Sequence, residues 1–237
     1  MRTCTALLML ALALPCGARP AAAPDPAYQA GRASADGIGK TYMGREISQV
    51  MGYPGADWLE RGSREREERP DLLLAALALA PGMAVADVGA GTGYYSWQIA
   101  QRIGDAGRVY AVDVQPQMIA LLTERMRQRG VRNVQPVLGS TTDTRLAPAS
   151  IDLALMVDVY HELEFPREVL GSVLRALKPG GRLVLVEYRA EDDSVPIKRL
   201  HKMSVAQIRR ELGAQGLLWQ QTVDTLPWQH IVIFRKP

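Results

Sequence analysis

The stretch VADVGAGTGYYSWQIA, residues 85–100, decides the reading of the chain. An apolar run ends in the carboxylate of Asp87, and Gly89, Gly91 and Gly93 then fall within five residues ahead of a helical pattern. A strand that passes through a glycine-rich turn into a helix is a ligand cradle, because glycine accepts positive φ and lets a ligand approach the backbone. Working outward, apolar runs predict strands at 84–88, 109–113, 134–138, 151–157, 182–188, 217–222 and 230–235, and helices near 96–103, 117–130, 166–177 and 205–212. Short strands alternating with helices of that length predict an α/β fold, its mostly parallel sheet covered on both faces. The last two strands are joined by VDTLPW with no helix, so they are expected to pair as an antiparallel hairpin at one end.

Two ligands compete for the glycine turn. A dinucleotide requires glycine or alanine at the third position of G-x-G-x-x-G, and that position is Tyr94 counted from Gly89 or Ser96 counted from Gly91. Asp87 also opposes it, since its carboxylate would face a pyrophosphate at the helix N-terminus. The same carboxylate suits a ligand carrying an ammonium group and a sulfonium.

The residues at this point resemble the class I S-adenosylmethionine-dependent methyltransferases. VADVGAGTG is similar to the first motif of that family, and VYAVDVQPQMI places Asp113 at the end of the second strand, twenty residues after Gly93. DLALMVDVYHEL resembles the family's fourth motif, and LKPGGRLVLVE resembles its turn into the fifth strand. The resemblance covers about residues 70–237. It implies a Rossmann-like three-layer sandwich of seven strands, six parallel and one antiparallel at the C-terminal end. It also implies S-adenosyl-L-methionine as cofactor, with Asp113 accepting hydrogen bonds from both ribose hydroxyls. Cofactor contacts are expected from Asp87, Gly89, Gly91, Gly93, Tyr94, Asp113, Val114, Ser140 and Asp158. One departure is that Gly139 is followed by Ser140, where many relatives carry an acid for the adenine amino group. Either Ser140 fills that role or Asp143 reaches in from a longer loop.

Chemistry is expected in DVYHELEFP, residues 158–166, which leaves the fourth strand where the sulfonium would sit. A methyl on sulfonium is already activated, so alignment and exclusion of water carry most of the catalysis. If the acceptor must lose a proton, His161 is the best-placed base, with Asp158 and Glu162 available to steer a cationic acceptor or to orient the imidazole. The segment EYRAEDDSVPIKRLHKMS, residues 187–204, is too long for a tight connection and is expected over the pocket mouth, making His201 a second base candidate beside Glu187 and Tyr188. His230 reads as structural. The D-x-x-H-E pattern lacks the H-E-x-x-H spacing that puts two imidazoles on one helical face, so no metal is expected.

The chain has 237 residues, enough for one α/β domain with an extension. Residues 1–23 read as a secretory signal peptide: Arg2, an uncharged apolar stretch from Thr5 to Leu14, then Pro15 and the small residues Ala21 to Ala23. Both cysteines, Cys4 and Cys16, lie in that segment, and a lipid anchor through Cys16 is the alternative to cleavage after Ala23. Cleavage leaves 26 basic against 25 acidic residues, interspersed, which argues against a nucleic-acid partner and, with no other apolar span, against stable membrane insertion. Residues 24–44 read as a flexible linker and 45–80 as a helical cap on a methyltransferase domain extending to 237. The function expected is methyl transfer to a small-molecule acceptor in an exported, periplasmic setting. An exported protein that keeps the fold and holds an adenosyl ligand without turnover is the alternative.

Overall fold

The computed structural model describes residues 27–237, so the expected leader lies outside the described residues. An N-terminal sheet comes first, built from β1 (Tyr28–Ala30), β2 (Gly37–Tyr42) and β3 (Arg45–Ser48), followed by a 3-10 helix at Tyr53–Glu60 and two short helices, α1 (Arg64–Glu68) and α2 (Pro70–Ala76). The chain then alternates: β4 (Ala84–Val88), α3 (Tyr94–Ile103), β5 (Arg108–Asp113), α4 (Pro116–Gln128), β6 (Val134–Leu138), β7 (Ile151–Val157), α5 (Pro166–Ala176) and β8 (Leu177–Arg189). It closes with β9 (Lys202–Met203), α6 (Val205–Gly213), β10 (Leu218–Val223) and β11 (Gln229–Arg235).

The main sheet has the order β10-β11-β8-β7-β4-β5-β6, with the two-residue β9 added beside the end of β8. Neighbours from β6 through β8 are parallel, and β11 runs antiparallel to both β8 and β10. Six long strands therefore share one direction and one opposes them, and the C-terminal hairpin forms as the sequence predicts. Alternation along the strands separates two cores. Val85, Leu153, Leu155, Val184 and Val186 meet Ile99, Ile103 and Leu122 on one face, while Ala86, Ala154, Met156, Leu183 and Leu185 meet Val169, Val173, Ile208 and Leu212 on the other. Strand order reverses about β4, whose neighbours are β5 and β7, so the crevice outside the carboxyl ends of these strands is where a ligand belongs. Among the described residues no helix is long and apolar enough to cross a membrane.

The N-terminal segment departs from its sequence reading. Residues 28–42, expected as linker, supply two strands, and 45–48, expected as the start of a helix, form a third. Met43 and Gly44 both have positive φ, 47° and 91°, and join the paired residues Tyr42 and Arg45 as a two-residue hairpin turn of the primed kind. Distant aromatic packing holds this sheet: Tyr28 lies 5.0 Å from Tyr42 and 6.2 Å from Phe165, and its hydroxyl donates to Glu168 at 2.6 Å. The expected helical cap is therefore a mixed one, half small sheet and half short helices.

A buried ion pair joins that sheet to the main domain. Arg45 donates to both oxygens of the fully buried Glu211 on α6, at 2.8 and 3.2 Å, and to the carbonyls of Tyr160 and His161. The Tyr160 hydroxyl donates to the same Glu211 carboxylate at 2.8 Å. Removing one member of a buried pair strands the other charge. Arg45→Ala is expected to cost about 3–5 kcal/mol in urea unfolding, while the double change Arg45→Met, Glu211→Leu costs less than Arg45→Ala alone.

Candidate active site

The carboxyl ends of β4, β5, β7 and β8 open into a cavity of about 820 Å³. The glycine turn forms its floor. Gly89 and Ala90 donate their N–H groups to Val112 O at 2.8 and 3.0 Å, which fixes the turn against β5. Gly89 (φ 74°) and Gly91 (φ 53°) both line the cavity, and a Cβ at either would collide, with Val159 in the first case and with Leu59 at 2.6 Å in the second. Gly93 has another purpose: it caps α3, and its missing Cβ admits Leu122 and Met126.

The carboxylates divide in the same way. Asp113 lines the cavity, its Oδ2 accepting from Gly91 N–H at 2.9 Å and its Oδ1 from Gln115 N–H at 2.8 Å. Burial pushes its pKa up against the pull of those backbone donors. Asp87 lies behind the turn, off the cavity wall, where its Oδ2 accepts from Ser96 Oγ at 2.6 Å. Burial raises its pKa from 3.8 to about 6, despite the Ser96 hydrogen bond and the positive charge of Arg64. The Oδ2 of Asp87, expected as a ligand contact, ties β4 to α3 here and does not line the cavity. Tyr94 is also off the wall, packed edge-on to Tyr95 with the Arg64 guanidinium 4.2 Å above its ring. Val114 and Ser140 do line the cavity. Asp143 instead pairs with Arg175 at 3.2 Å, so of the two candidates after β6 it is Ser140 that reaches the wall.

At the other end of the cavity sits a polar cluster. Asp158 follows β7 in a left-handed conformation (φ 54°), with its Oδ2 accepting from Gln229 Nε2 at 2.7 Å and its buried Oδ1 without a partner. Burial, then the charges of Glu68 and Glu187, hold its pKa well above the usual carboxylate range. His161 is buried, with Nδ1 on the Glu187 carboxylate at 2.5 Å and Nε2 facing His201 Nδ1 at 3.2 Å and Glu162 Oε1 at 3.7 Å. Glu162 Oε1 is 3.4 Å from His201 Nδ1, and its Oε2 accepts from Met51 N–H at 3.1 Å. Burial alone would lower the His161 pKa, but Glu187 and Glu162 raise it to about 10. Burial opposes the charge on Glu162, yet hydrogen bonds from His161 and His201 bring its pKa to about 2. Flanked by these two carboxylates, the ring favours its protonated, donating form in the metal-free protein, which works against the base role expected of it.

Sequence reasoning named Tyr188 on one wall but missed the three charged residues beside it. Arg61 and Arg64 flank Glu68, donating to its two oxygens at 2.6 and 2.7 Å, and Tyr188 donates to it at 3.0 Å. All four line the cavity. The sequence trace of the charged residues is the i,i+4 spacing of Arg64 and Glu68 within the run REREE. The segment 187–204 does reach the cavity, bringing Pro196, Ile197, Lys198 and His201 to its rim.

A Rossmann-type sheet with a glycine cradle and an acid at the end of the second strand of the sheet defines a nucleoside-binding enzyme fold. Residues 79–229 match the methyltransferase domain family, and the chain belongs to it. It is 32% identical over 108 residues to an arsenite methyltransferase of Halobacterium salinarum, a match covering 46% of this chain and 28% of that protein. It is 30% identical over 108 residues to the ubiquinone/menaquinone biosynthesis C-methyltransferase UbiE of Idiomarina loihiensis, covering 45% and 43% respectively. The chain thus spans less than half the length of these two curated relatives. Among solved structures, a SAM-dependent methyltransferase from Aquifex aeolicus superimposes with a TM-score of 0.75 over 79% of this chain and 100% of that one, at 24% identity. S-adenosyl-L-methionine is the cofactor that membership implies. The residues fit it: Gly89 and Gly91 bring positive-φ backbone without side chains to the cavity wall, Asp113 presents a carboxylate, and Asp158 Oδ1 is an orphaned buried acceptor.

The raised pKa of Asp87 has a sign that can be checked. The folded protein binds this proton more tightly than the unfolded chain, so the group imposes no penalty below pH 3.8 and an increasing one as pH rises to about 6. Stability of the ligand-free protein is expected to lose about 3 kcal/mol across that window from this group, and Asp87→Asn is expected to abolish that loss in denaturant titrations at pH 4 and pH 6.5.

Proposed function

We propose that this chain is an S-adenosyl-L-methionine-dependent methyltransferase acting on a small molecule with an apolar body and one polar group. The observation that carries the reading is the cavity that runs from the Gly89–Gly91 cradle and Asp113 to the His161–Glu162–His201 cluster. At about 820 Å³ it lies toward the upper end of the ~300–1,000 Å³ range of ligand pockets, enough for the cofactor and a second small molecule.

Asp113 holds the ribose hydroxyls, kept in place by the Gly91 and Gln115 N–H groups. Val114 and Ser140 flank the adenine. Asp158 takes the amino group of the amino-acid part on its unpartnered Oδ1, and Arg64 supplies positive charge for the carboxylate. When bound, the cofactor supplies a methyl group already activated on sulfonium. The protein's share is to align an acceptor in line with it and to exclude water. Ile38, Val50, Met51, Leu163 and Ile197 line the apolar side of the cavity and hold the acceptor's body. Its polar group meets the carboxylate of Glu162 and the His161 and His201 rings, which fix its direction. The relatives include an arsenite methyltransferase and a ubiquinone/menaquinone biosynthesis C-methyltransferase, so the reading of the acceptor rests on this cavity rather than on either of them.

Calorimetric titration with S-adenosylmethionine and S-adenosylhomocysteine tests the reading. Micromolar binding of both is expected, and Asp113→Ala is expected to weaken it about 100-fold, the worth of two hydrogen bonds to a charged acceptor. Absence of binding by the intact protein would remove the methyltransferase assignment. We further propose export, on the N-terminal sequence; mass analysis of the protein from its native host should find a chain beginning at Pro24, and a chain beginning at Met1 would overturn it.

A further inference from the structure

We propose that His161, Glu162 and His201 form a binding site for one divalent transition-metal ion of the zinc type, with a coordination position open to the cavity. One ligand atom from each, His161 Nε2, His201 Nδ1 and a Glu162 carboxylate oxygen, lie within 4.8 Å of one another. The separations are 3.2 Å between the imidazole nitrogens, and 3.4 and 3.7 Å from Glu162 Oε1 to His201 and His161. Metal–nitrogen and metal–oxygen bonds of about 2.0–2.2 Å in a tetrahedron put donor atoms about 3.3–3.5 Å apart. The three atoms are therefore already spaced to share one ion with little rearrangement.

The surroundings match as well. A ligating histidine commonly gives its other ring N–H to a carboxylate, which fixes tautomer and orientation. His161 Nδ1 sits on Glu187 Oε2 at 2.5 Å, and Glu187 is itself held by the Tyr160 N–H at 2.9 Å. A metal ion displaces the protons from the ring nitrogens it binds, and the carboxylates of Glu162 and Glu187 then lie beside the dication, which their charges balance. Two imidazoles and one carboxylate suit zinc and its neighbours rather than magnesium or calcium. Three protein ligands leave the fourth position vacant, the arrangement of catalytic rather than structural zinc sites. All three residues line the cavity, so that position faces the space for the acceptor. A bearing of the ion on methyl transfer, by holding an acceptor oxygen, rests on the methyltransferase reading. The metal site itself does not.

The test uses the full chain without cofactor, titrated with Zn²⁺ in competition with a chromophoric chelator and with Co²⁺ by visible absorption. One equivalent of tight binding is expected, with the intense visible bands of a low-coordinate Co²⁺ site. His201→Ala is expected to remove that equivalent and the bands; His201 is partly exposed, and equal melting temperatures of the metal-free proteins confirm an intact fold. Glu187→Gln, a change in a positioning residue, is expected to weaken Zn²⁺ about 10–100-fold and shift the Co²⁺ spectrum. Cys4 and Cys16 are present in all of these proteins, so any ion they hold cancels in the comparison. Absence of saturable binding in the wild type, or equal binding by wild type and His201→Ala, would overturn the proposal. Neither outcome touches the titration with S-adenosylmethionine, so the two readings fail separately.

Discussion

The Arg45 guanidinium is the constraint on which the site's architecture depends. It joins β3, the carboxylate of Glu211 on α6 and the backbone of the turn after β7, three pieces with no local reason to meet. A buried ion pair contributes little net stability, since desolvation offsets most of the attraction, but it tolerates few alternative geometries. Here that geometry sets the carbonyls of Tyr160 and His161, and hence where the His161 ring points. Ser48, also on β3, adds a second donor to the His161 carbonyl at 3.3 Å. The small sheet thus acts as the scaffold of the polar cluster as well as a cover.

Electrostatics then sort the site into two ends. Near the glycine turn the carboxylates of Asp87 and Asp113 resist ionisation because they are buried, and so does Asp158 after β7. Beside Asp158, Glu162 is held ionised by the two imidazoles that donate to it. An amino group finds the unpartnered Oδ1 of Asp158, and a polar acceptor group or a cation finds the Glu162 carboxylate. The Arg61, Arg64 and Glu68 cluster lies in the wall between, with two guanidinium groups sharing the one Glu68 carboxylate.

The central fold was legible because its signals are local. Alternating apolar runs, the spacing of Asp87, Gly89, Gly91 and Gly93, and the acid at position 113 all lie within short windows, and the strands fall within a few residues of their predicted bounds. The N-terminal sheet was not legible, because Gly37 and Gly39 interrupt the alternation of β2 and the turn at Met43 and Gly44 lacks the usual asparagine or aspartate. Its stabilising contacts are to Phe165 and Glu168, far along the chain. For the same reason the metal-like grouping was invisible: the expectation of no metal rested on spacing along one helix, and the third donor arrives from residue 201 across space. Asp87 shows the converse error, a motif residue with the right spacing whose side chain serves the packing of its own turn.

The separation of Arg45 from Glu211, 166 residues, also orders assembly in time. Loop closure over such a distance costs entropy that only late contacts repay. The β2–β3 hairpin can form early, but it has nowhere to dock until α6, near the end of the chain, is in place. The central strands can pair before that, giving an intermediate with a formed sheet and an open, unlidded crevice. The part of the cavity wall that the small sheet supplies, Ile38, Lys40 and Ser48, is thus closed by contacts between residues far apart in the chain.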